Sequence, residues 1–345
     1  MLLAIILVSL HSKTKLNYMF YIVECFYNRS RLWFLLLVMF LSYGVEANVY
    51  ISPTEYDYSV LANQITVGAS TKKEKVKAIY DWICANISYD TSYSIHTADE
   101  CYETRKGVCQ AYCELFYYLC DAVDVDCDVV SGVTKDRSGE IQDSGHAWVC
   151  VKIENSRPML IDPTWGAGSV SEGIFTRRSD HTVWFDVDPY WLIMTHFPDD
   201  EAYQLLEESI DRSTFARFPA LHPDCQYLGL NPRILFRRVV SGKKIIFPQF
   251  YTIEADKTLI LRNIPINKTL STNITYRFEV DNPYGLDFAL ILNDTWYLSS
   301  EWQRIGSRYR LDLQPAAAGV LTLVVKGNTD RYNVLVEYEV IDTNK

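Results

Sequence analysis

The chain has 345 residues, 48% hydrophobic and 22% charged, with 33 basic and 43 acidic side chains and a formal charge of −10. This much apolar material can bury a core, so the composition excludes an intrinsically disordered chain, and the length suits roughly two domains. The acidic balance argues against a nucleic-acid partner, because no basic face could release phosphate counterions at scale.

The first 47 residues are predicted to be a leader rather than part of the fold. The apolar run 32–43 follows Arg29 and Arg31 and precedes a small-x-small pattern that ends at Ala47, which is the layout of a secretory signal peptide. A second apolar run at the very start is explained if translation begins at Met19. The protein is therefore expected to be secreted or extracytoplasmic. The alternative is an uncleaved membrane anchor, although a spanning helix needs about 20 apolar residues.

Eight cysteines follow the leader. An even set in an exported protein favours disulfides, although a catalytic cysteine would leave at least one more thiol unpaired. The spacings contain no CxxC and no His pair near a Cys pair, so they match no zinc signature, and no metal or other cofactor is expected. The eight stand at positions 84, 101, 109, 113, 120, 127, 150 and 225.

The segment up to about residue 212 alternates helical and strand-like patterns. Thr71 and Glu74 form a capping-box pattern at the start of an apolar repeat of helical spacing, and a second apolar stripe follows Gly107. The pattern predicts helices over 71–87, 108–123 and 199–210, a polar loop or short irregular elements over 88–106, and strands over 127–133, 146–153 and 159–162.

After about residue 222 short strand-like segments recur with almost no helical signal. The last alternates, with Val334, Val336, Tyr338 and Val340 on one face. This pattern of short recurring strands is typical of a β-sandwich. The strands are expected over 257–264, 274–280, 287–292, 309–314, 319–326 and 333–340. The predicted organisation is a leader over 1–47, an α+β domain over 48–212, a linker over 213–221 and an all-β domain over 222–345.

Cys109 is the main candidate for chemistry. It stands at the predicted start of the second helix, where the helix dipole and unpaired backbone N–H groups favour a thiolate. The alternative is a small buried hydrophobic side chain, the commoner role of a helical cysteine, and Cys113 and Cys120 suit that role better.

His146 and Asp162 are the candidates for activating this thiol. His146 opens a strand in SGHAWVCV, and Asp162 ends the next strand in LIDPTWG. Strands joined by a short turn are antiparallel neighbours, so the carboxylate would lie near the imidazole and hold its tautomer. Trp165 would shield the pair from water. The alternatives are a half-buried histidine tied to backbone and a turn-forming aspartate before Pro163.

The order of these motifs resembles the transglutaminase-like superfamily. GVCQAYCELF, SGHAWVCV and LIDPTWGAG present Cys, His and Asp in the order of that family's papain-like core, and KVKAIYDWICANISYD is similar to its entry helix. WFDVDPYWLIMTHFPDDEAYQLL resembles the segment after the core in the kyphoscoliosis peptidase-like branch, whose members also carry β-sandwich modules. The resemblance covers about residues 71–210 well. Ala111 departs from the usual glycine, and Val149-Cys150 from a more polar pair.

The resemblance implies a papain-like α+β core followed by an immunoglobulin-like sandwich, and acyl transfer through a thioester. Cys109 would attack a carboxamide or peptide carbonyl, with its own backbone N–H as one oxyanion donor. Gln110 and Trp148 are weaker candidates for supporting the oxyanion or the substrate. Water as acceptor gives a peptidase or amide hydrolase, whereas a lysine amine gives a cross-linking protein-glutamine gamma-glutamyltransferase. Hydrolysis of protein or peptide substrates is favoured, because the branch is named for a peptidase.

The alternative to an enzyme is a non-catalytic scaffold. Its β-sandwich would bind extracellular or cytoskeleton-like protein partners, but all three triad positions are filled, which favours the enzyme. The sequence does not fix the disulfide pairing or the oligomeric state. Candidate glycosylation tripeptides begin at Asn86, Asn267, Asn273 and Asn293.

Overall fold

The structure is a computed structural model. The predicted leader, residues 1–47, lies outside the described residues, and the chain from Val49 onward forms one compact unit. No helix in the described part of the chain is both long enough and apolar enough to span a bilayer. The described residues are 51–136, 138–242, 245–251, 257–327 and 331–342.

The part of the chain up to Val240 combines short helices with a four-stranded sheet. The helices are α1 (Ser59–Ile65), α2 (Lys72–Asn86), α3 (Ala98–Thr104), α4 (Cys109–Asp121), α5 (Pro163–Ala167), α6 (Pro189–Leu192), α7 (Arg212–Ala216) and α8 (Pro232–Val240). The strands are β1 (Ser88–Tyr89), β2 (Lys106–Gly107), β3 (Asp126–Lys135), β4 (Ile141–Lys152), β5 (Met159–Ile161), β6 (Gly168–Ser171), β7 (Ile174–Arg177) and β8 (His196–Pro198).

The antiparallel sheet β5-β4-β3-β8 supports helix α4. Helix α4 packs against β3, β4 and α2, and it buries Tyr112, Leu115, Phe116 and Leu119 completely. Each such side chain contributes about 1.5–3 kcal/mol by leaving water, so this face fixes the helix on the sheet. The two helices predicted over 71–87 and 108–123 and the three strands predicted between 127 and 162 are confirmed.

Two local predictions differ from the structure. The segment predicted as a loop or short irregular elements, 88–106, contains the regular helix α3, whose N-cap Thr97 accepts the backbone N–H of Glu100. The helix predicted over 199–210 is wrong, because only a 3-10 turn forms at Glu201–Gln204. It ends at Leu205, which has a left-handed φ of 51°, and the Gln204 side chain then bonds both backbone groups of Ile210.

The expectation of disulfides is wrong for the described cysteines. All eight are free thiols, and all except Cys109 are buried. They serve as small apolar side chains in the core, and the Cys84 thiol lies 3.7 Å from the Pro163 carbonyl oxygen, which accepts its hydrogen bond. The ninth cysteine, Cys25, lies outside the described residues.

The C-terminal part forms two facing sheets. One sheet has the order β10-β12-β16-β15, and the other has the order β11-β18-β17-β13-β14 with β9 added to β18. Ring pairs span the sheets, with Phe278 and Tyr338 centroids 5.9 Å apart. The strands are β9 (Gln249–Phe250), β10 (Ile260–Asn263), β11 (Thr269–Ser271), β12 (Tyr276–Asp281), β13 (Phe288–Leu292), β14 (Thr295–Leu298), β15 (Gln303–Ile305), β16 (Arg308–Leu313), β17 (Gly319–Lys326) and β18 (Tyr332–Ile341).

A bulge corrects the predicted face of β18. Leu323 pairs with Val336 but Val324 pairs with Val334, so Leu335 is an extra residue in the ladder. Neighbouring residues of β17 point to opposite faces, and Val334 therefore faces away from Val336, Tyr338 and Val340. The predicted common face holds only for the last three.

The segment around the predicted linker is helical and anchored. Helix α7 lies within it, and the buried Lys135 ammonium donates to the carbonyl oxygens of Phe215, at 2.7 Å, and Phe218. Farther on, the Leu261 N–H donates to the Leu228 carbonyl at 2.7 Å. The predicted domain boundary at 213–221 stays a prediction.

Candidate active site

Cys109 is the first residue of helix α4, as the sequence predicts. Val108 precedes the helix in an extended conformation, and the Cys109 side chain is half-buried at the helix start. Close packing fixes this entry, because a Cβ at Gly107 would lie 2.8 Å from the Cβ of Ala111. Ala111, the departure from the family's glycine, is thus a small residue under a tight turn into the helix.

His146 lies on β4 between Cys109 and Asp162. Its Nε2 lies 2.8 Å from Asp162 Oδ2, and its imidazole is near enough to the Cys109 thiol to lower the pKa of that thiol. Because Nε2 is used by the carboxylate, Nδ1 is the nitrogen that faces the sulfur. The structure therefore brings together the three residues predicted as the triad.

Asp162 follows β5, which is an antiparallel neighbour of β4 as predicted, with Val149 opposite Ile161. Its Oδ1 accepts the backbone N–H groups of Thr164 at 2.8 Å and Trp165 at 2.9 Å. Asp162 is therefore the N-cap of α5 while Oδ2 faces His146. The predicted alternatives of turn residue and triad member occur in one side chain.

The electrostatics of the site favour a thiolate beside an imidazolium. Burial alone would raise the pKa of the Cys109 thiol, but the hydrogen bond and charge of His146 and the Ala147 N–H lower it. Burial would lower the pKa of His146, but the charge and hydrogen bond of Asp162 raise it to about 10. Burial acts to raise the pKa of Asp162, and His146 and His196 outweigh it, so the carboxyl stays ionised.

His196, which the sequence analysis did not select, belongs to the same cluster. It is buried at the start of β8, and its Nε2 lies 3.0 Å from Asp162 Oδ2. Its Nδ1 lies 2.8 Å from the Thr195 hydroxyl. The only sequence signal was its presence in MTHFPDD, a stretch used above for resemblance alone.

The supporting residues predicted from sequence occupy different places. Trp165 is half-buried, and its ring centroid lies 5.6 Å from that of His146. Trp148 is fully buried, with its ring centroid 6.2 Å from that of His146. The Gln110 amide donates to Glu114 Oε1 at 3.1 Å, one turn along α4.

A cleft of about 700 Å³ opens beside His146. Its walls combine aromatic rings with the hairpin formed by β6 and β7, so it can accept an extended polar chain with apolar side chains. The aromatic lining residues are Tyr89, Tyr93, Trp165, Phe175, Trp184 and His222.

Comparisons with known proteins place this site in a family. The model of the transglutaminase-like superfamily matches residues 59–189, which contain Cys109, His146 and Asp162. This part of the chain belongs to the transglutaminase-like superfamily. The match confirms the predicted α+β core and its family.

The relatives come from the predicted branch of the superfamily. The kyphoscoliosis peptidase of Homo sapiens is 32% identical over 303 residues, which are 81% of this chain and 40% of that protein. The kyphoscoliosis peptidase of Mus musculus is 30% identical over 209 residues, which are 54% of this chain and 30% of that protein. The chain thus spans less than half of the curated relatives that it matches.

A solved structure of a TGase is a more distant match. It is 18% identical with a TM-score of 0.26, and the match covers 50% of this chain and 43% of that chain.

The transglutaminase-like site can be compared with a metal centre, because His146, Asp162 and His196 are all metal-ligand types within 4.8 Å of one another. Both Nε2 atoms, however, lie at hydrogen-bond distance from one oxygen, 2.8 and 3.0 Å. These distances suit N–H groups that donate to the carboxylate, whereas a zinc ion would need the ligand atoms arranged around it at about 2.0–2.2 Å. The arrangement is that of a cysteine-dependent enzyme.

Proposed function

We propose that the chain is a cysteine peptidase or amide hydrolase that acts on proteins or peptides through a thioester. The observation that supports this most is the place of His146, which lowers the pKa of the Cys109 thiol on one side and lies 2.8 Å from Asp162 Oδ2 on the other. It is the arrangement that an activated nucleophile, its base and the orienting group require.

In the first half-reaction, the Cys109 thiolate attacks the substrate carbonyl carbon. The resulting oxyanion accepts the Cys109 backbone N–H, which has no partner within the helix because it is among the first four. Protonated His146 then gives its Nδ1 proton to the leaving nitrogen. The C–N bond breaks, the amine leaves, and the acyl group remains as a thioester.

In the second half-reaction, neutral His146 takes a proton from water as the water oxygen attacks the thioester carbon. The C–S bond breaks, the acid leaves, and the thiolate–imidazolium pair is restored. A lysine amine in place of water would produce an isopeptide bond, the cross-linking alternative, with the same proton transfers.

The proposed acceptor can be tested with the full protein. It is incubated with a protein mixture and a labelled primary amine, and mass spectrometry then compares new chain termini, deamidated glutamines and labelled glutamines. Hydrolysis predicts new termini or deamidation that are absent from the Cys109→Ala variant. Labelled glutamines as the main product would support cross-linking, and no Cys109-dependent product would support the scaffold alternative.

We also propose that the protein acts outside the cytoplasm, on the basis of the leader predicted over residues 1–47. Expression of the full chain in a cell that secretes proteins, followed by N-terminal sequencing, tests this. A mature N-terminus just after Ala47 in the medium is expected, and retention of the uncleaved chain in the cell would contradict it.

A further inference from the structure

The proposed mechanism does not use His196, although this side chain contacts its central carboxylate. His196 is buried at the junction of β8 and β3, where Thr134 is its partner in the ladder. Its Nε2 shares Asp162 Oδ2 with the Nε2 of His146, at 3.0 and 2.8 Å respectively. One carboxylate oxygen therefore accepts a hydrogen bond from each of two imidazoles.

The hydrogen bonds of Asp162 form a complete set. Oδ1 accepts two backbone N–H groups and Oδ2 accepts two imidazole nitrogens, which uses the roughly four acceptor positions of a carboxylate. The backbone donors fix one end of the carboxylate. His196 is the side chain that fixes the other end independently of His146.

The tautomer of His196 follows from its partners. Its Nε2 must donate to the ionised carboxylate, so Nδ1 accepts the Thr195 hydroxyl at 2.8 Å. Among the described residues, the charged groups that face this ring are Asp162 and His146, whose centroid lies 5.4 Å away. The other rings packed on it are Trp148, Trp165 and Trp184.

His196 is neutral while His146 is charged. Burial lowers the pKa of His196 to about 4, although its hydrogen bond to Asp162 acts in the opposite direction. A neutral donor can hold the carboxylate without placing a second positive charge beside it. The ion pair between Asp162 and His146 is therefore not weakened. His196 thus orients the Asp162 carboxylate, and His146 carries the positive charge that pairs with it.

We propose that His196 is a positioning residue that keeps Asp162 Oδ2 facing His146, and so maintains the thiolate–imidazolium pair of Cys109 near neutral pH. This role of His196 rests on the proposed function, in which the Cys109 thiolate is paired with the His146 imidazolium. If His196 is lost, the carboxylate can turn about its Oδ1 anchor, the imidazolium is less stabilised, and its proton returns to the sulfur.

The alkylation rate of Cys109 by iodoacetamide, measured at pH 6.5 and pH 9.5 on the full protein, tests the proposal. At pH 9.5 an ordinary thiol ionises without help from a neighbouring group. The rate at pH 6.5 divided by the rate at pH 9.5 therefore measures how far His146 and its partners stabilise the Cys109 thiolate near neutral pH. In His196→Phe the ratio should fall by about tenfold, the effect of losing one hydrogen bond to a charged group. His196→Gln keeps a donor near the Nε2 position and should stay within about threefold of wild type.

His181→Phe is the matched control. His181 pairs with Asp81 at 2.8 Å and is not among the residues that line the cleft, and the loss of its imidazole should leave the ratio unchanged. If His196→Phe does not fold, Thr195→Val decides, because it removes the hydroxyl that holds the His196 ring in place through Nδ1. A lower ratio in that variant supports the proposal, and a wild-type ratio in a folded His196→Phe or Thr195→Val variant overturns it.

The test separates this proposal from the proposed function. A lower ratio in a protein without measurable turnover would support the positioning role and count against the enzyme. Turnover in wild type together with an unchanged ratio in the variants would support the enzyme and overturn the role of His196.

Discussion

Asp162 shows at the scale of one residue how a fold and a site can depend on the same side chain. One oxygen caps helix α5 through two backbone N–H groups, and the other holds His146 and His196. The sequence suggested a turn residue or a triad member as alternatives. The structure joins them, because the strand that ends at Asp162 is followed directly by the helix that Asp162 caps.

Asp162→Asn should therefore lower turnover, whereas Asp162→Ala should also lower the free energy of unfolding. Asparagine can still cap α5 with its oxygen, but its NH₂ would face two imidazole N–H groups, so turnover should fall by about 10⁴, as in a serine triad. Alanine removes the acceptor that caps α5 and leaves the Nε2 atoms of both histidines without their acceptor, which should cost about 3–5 kcal/mol of unfolding free energy. Urea denaturation and turnover are measured for both variants. Full activity in Asp162→Asn would remove Asp162 from the mechanism.

The two histidines should affect stability on opposite sides of neutrality. Burial lowers the pKa of His196 from the ordinary histidine value of 6.5 to about 4, so between these pH values the unfolded chain binds the extra proton and stability falls as pH falls. The pKa of His146 is raised to about 10, so its contribution is complete below pH 6.5 and is lost as pH rises towards 10.

His196→Gln should therefore lose less unfolding free energy than wild type between pH 6.5 and pH 4.5, and a similar amount between pH 6.5 and pH 9. Urea titrations at the three pH values measure both differences. An equal loss on the acid side in both proteins would show that His196 is not the group that titrates there.

At the scale of elements, the position of α5 depends on its contact with α2. Gly166 faces Tyr80, and a Cβ at this glycine would overlap the tyrosine hydroxyl and lie 2.8 Å from Cζ of its ring. Because α5 begins at the cap of Asp162 and contains Trp165, this contact places two site residues relative to the helical layer.

Gly166→Ala should destabilise the protein by about 1–3 kcal/mol through overpacking and lower turnover. Part of this cost should disappear in the Tyr80→Phe background, since the hydroxyl nearest to the new methyl group is then absent. A double-mutant cycle by thermal and urea unfolding measures the coupling. Simple additivity of the two substitutions would contradict the proposed contact.

Sequence reasoning worked at this scale where the signal was local. The capping box at Thr71 and the apolar stripe of α4 are repeats within one element, so their bounds followed to within a few residues. Helix α3 was missed although Thr97 and Glu100 have the same capping spacing, because the polar stretch around them has no apolar repeat.

Features that depend on distant pairing could not be found in this way. The contact of His196 with Asp162 requires β8 to pair with β3 across more than sixty residues, and no local pattern encodes that pairing. The bulge at Leu335 likewise depends on the register of β17 against β18. The triad was accessible because β4 and β5 are consecutive strands joined by a short turn.

At the scale of the whole molecule, Lys135 fixes the segment that leads from the α+β part to the sheets. Its buried ammonium donates to carbonyl oxygens of Phe215 and Phe218, near the end of α7. Burial lowers the pKa of Lys135 to about 8, because the charged form is less stable beneath residues 213–221 than it is in water. The contact should limit access of proteases to residues 213–221.

Lys135→Met should expose this segment and speed tryptic cleavage after Arg212 or Arg217, because the two carbonyls lose their donor, at a cost of about 1–3 kcal/mol. Lys152→Met is the control, since its ion pair with Asp128 is on the surface and should matter little. Two protected pieces after the cut would support the predicted boundary. Equal cleavage rates in Lys135→Met and wild type would show that Lys135 does not anchor the segment.

The central claim, acyl transfer through Cys109, is tested most directly by trapping the acyl-enzyme. The full protein is mixed with an excess of a reactive glutamine or peptide ester, quenched in acid within seconds, and its peptides are analysed by mass spectrometry. The account predicts a hydroxylamine-sensitive acyl group on the peptide that contains Cys109, with greater accumulation in wild type than in His146→Ala. An acyl group on another cysteine, or product formation at the wild-type rate by Cys109→Ala, would contradict it.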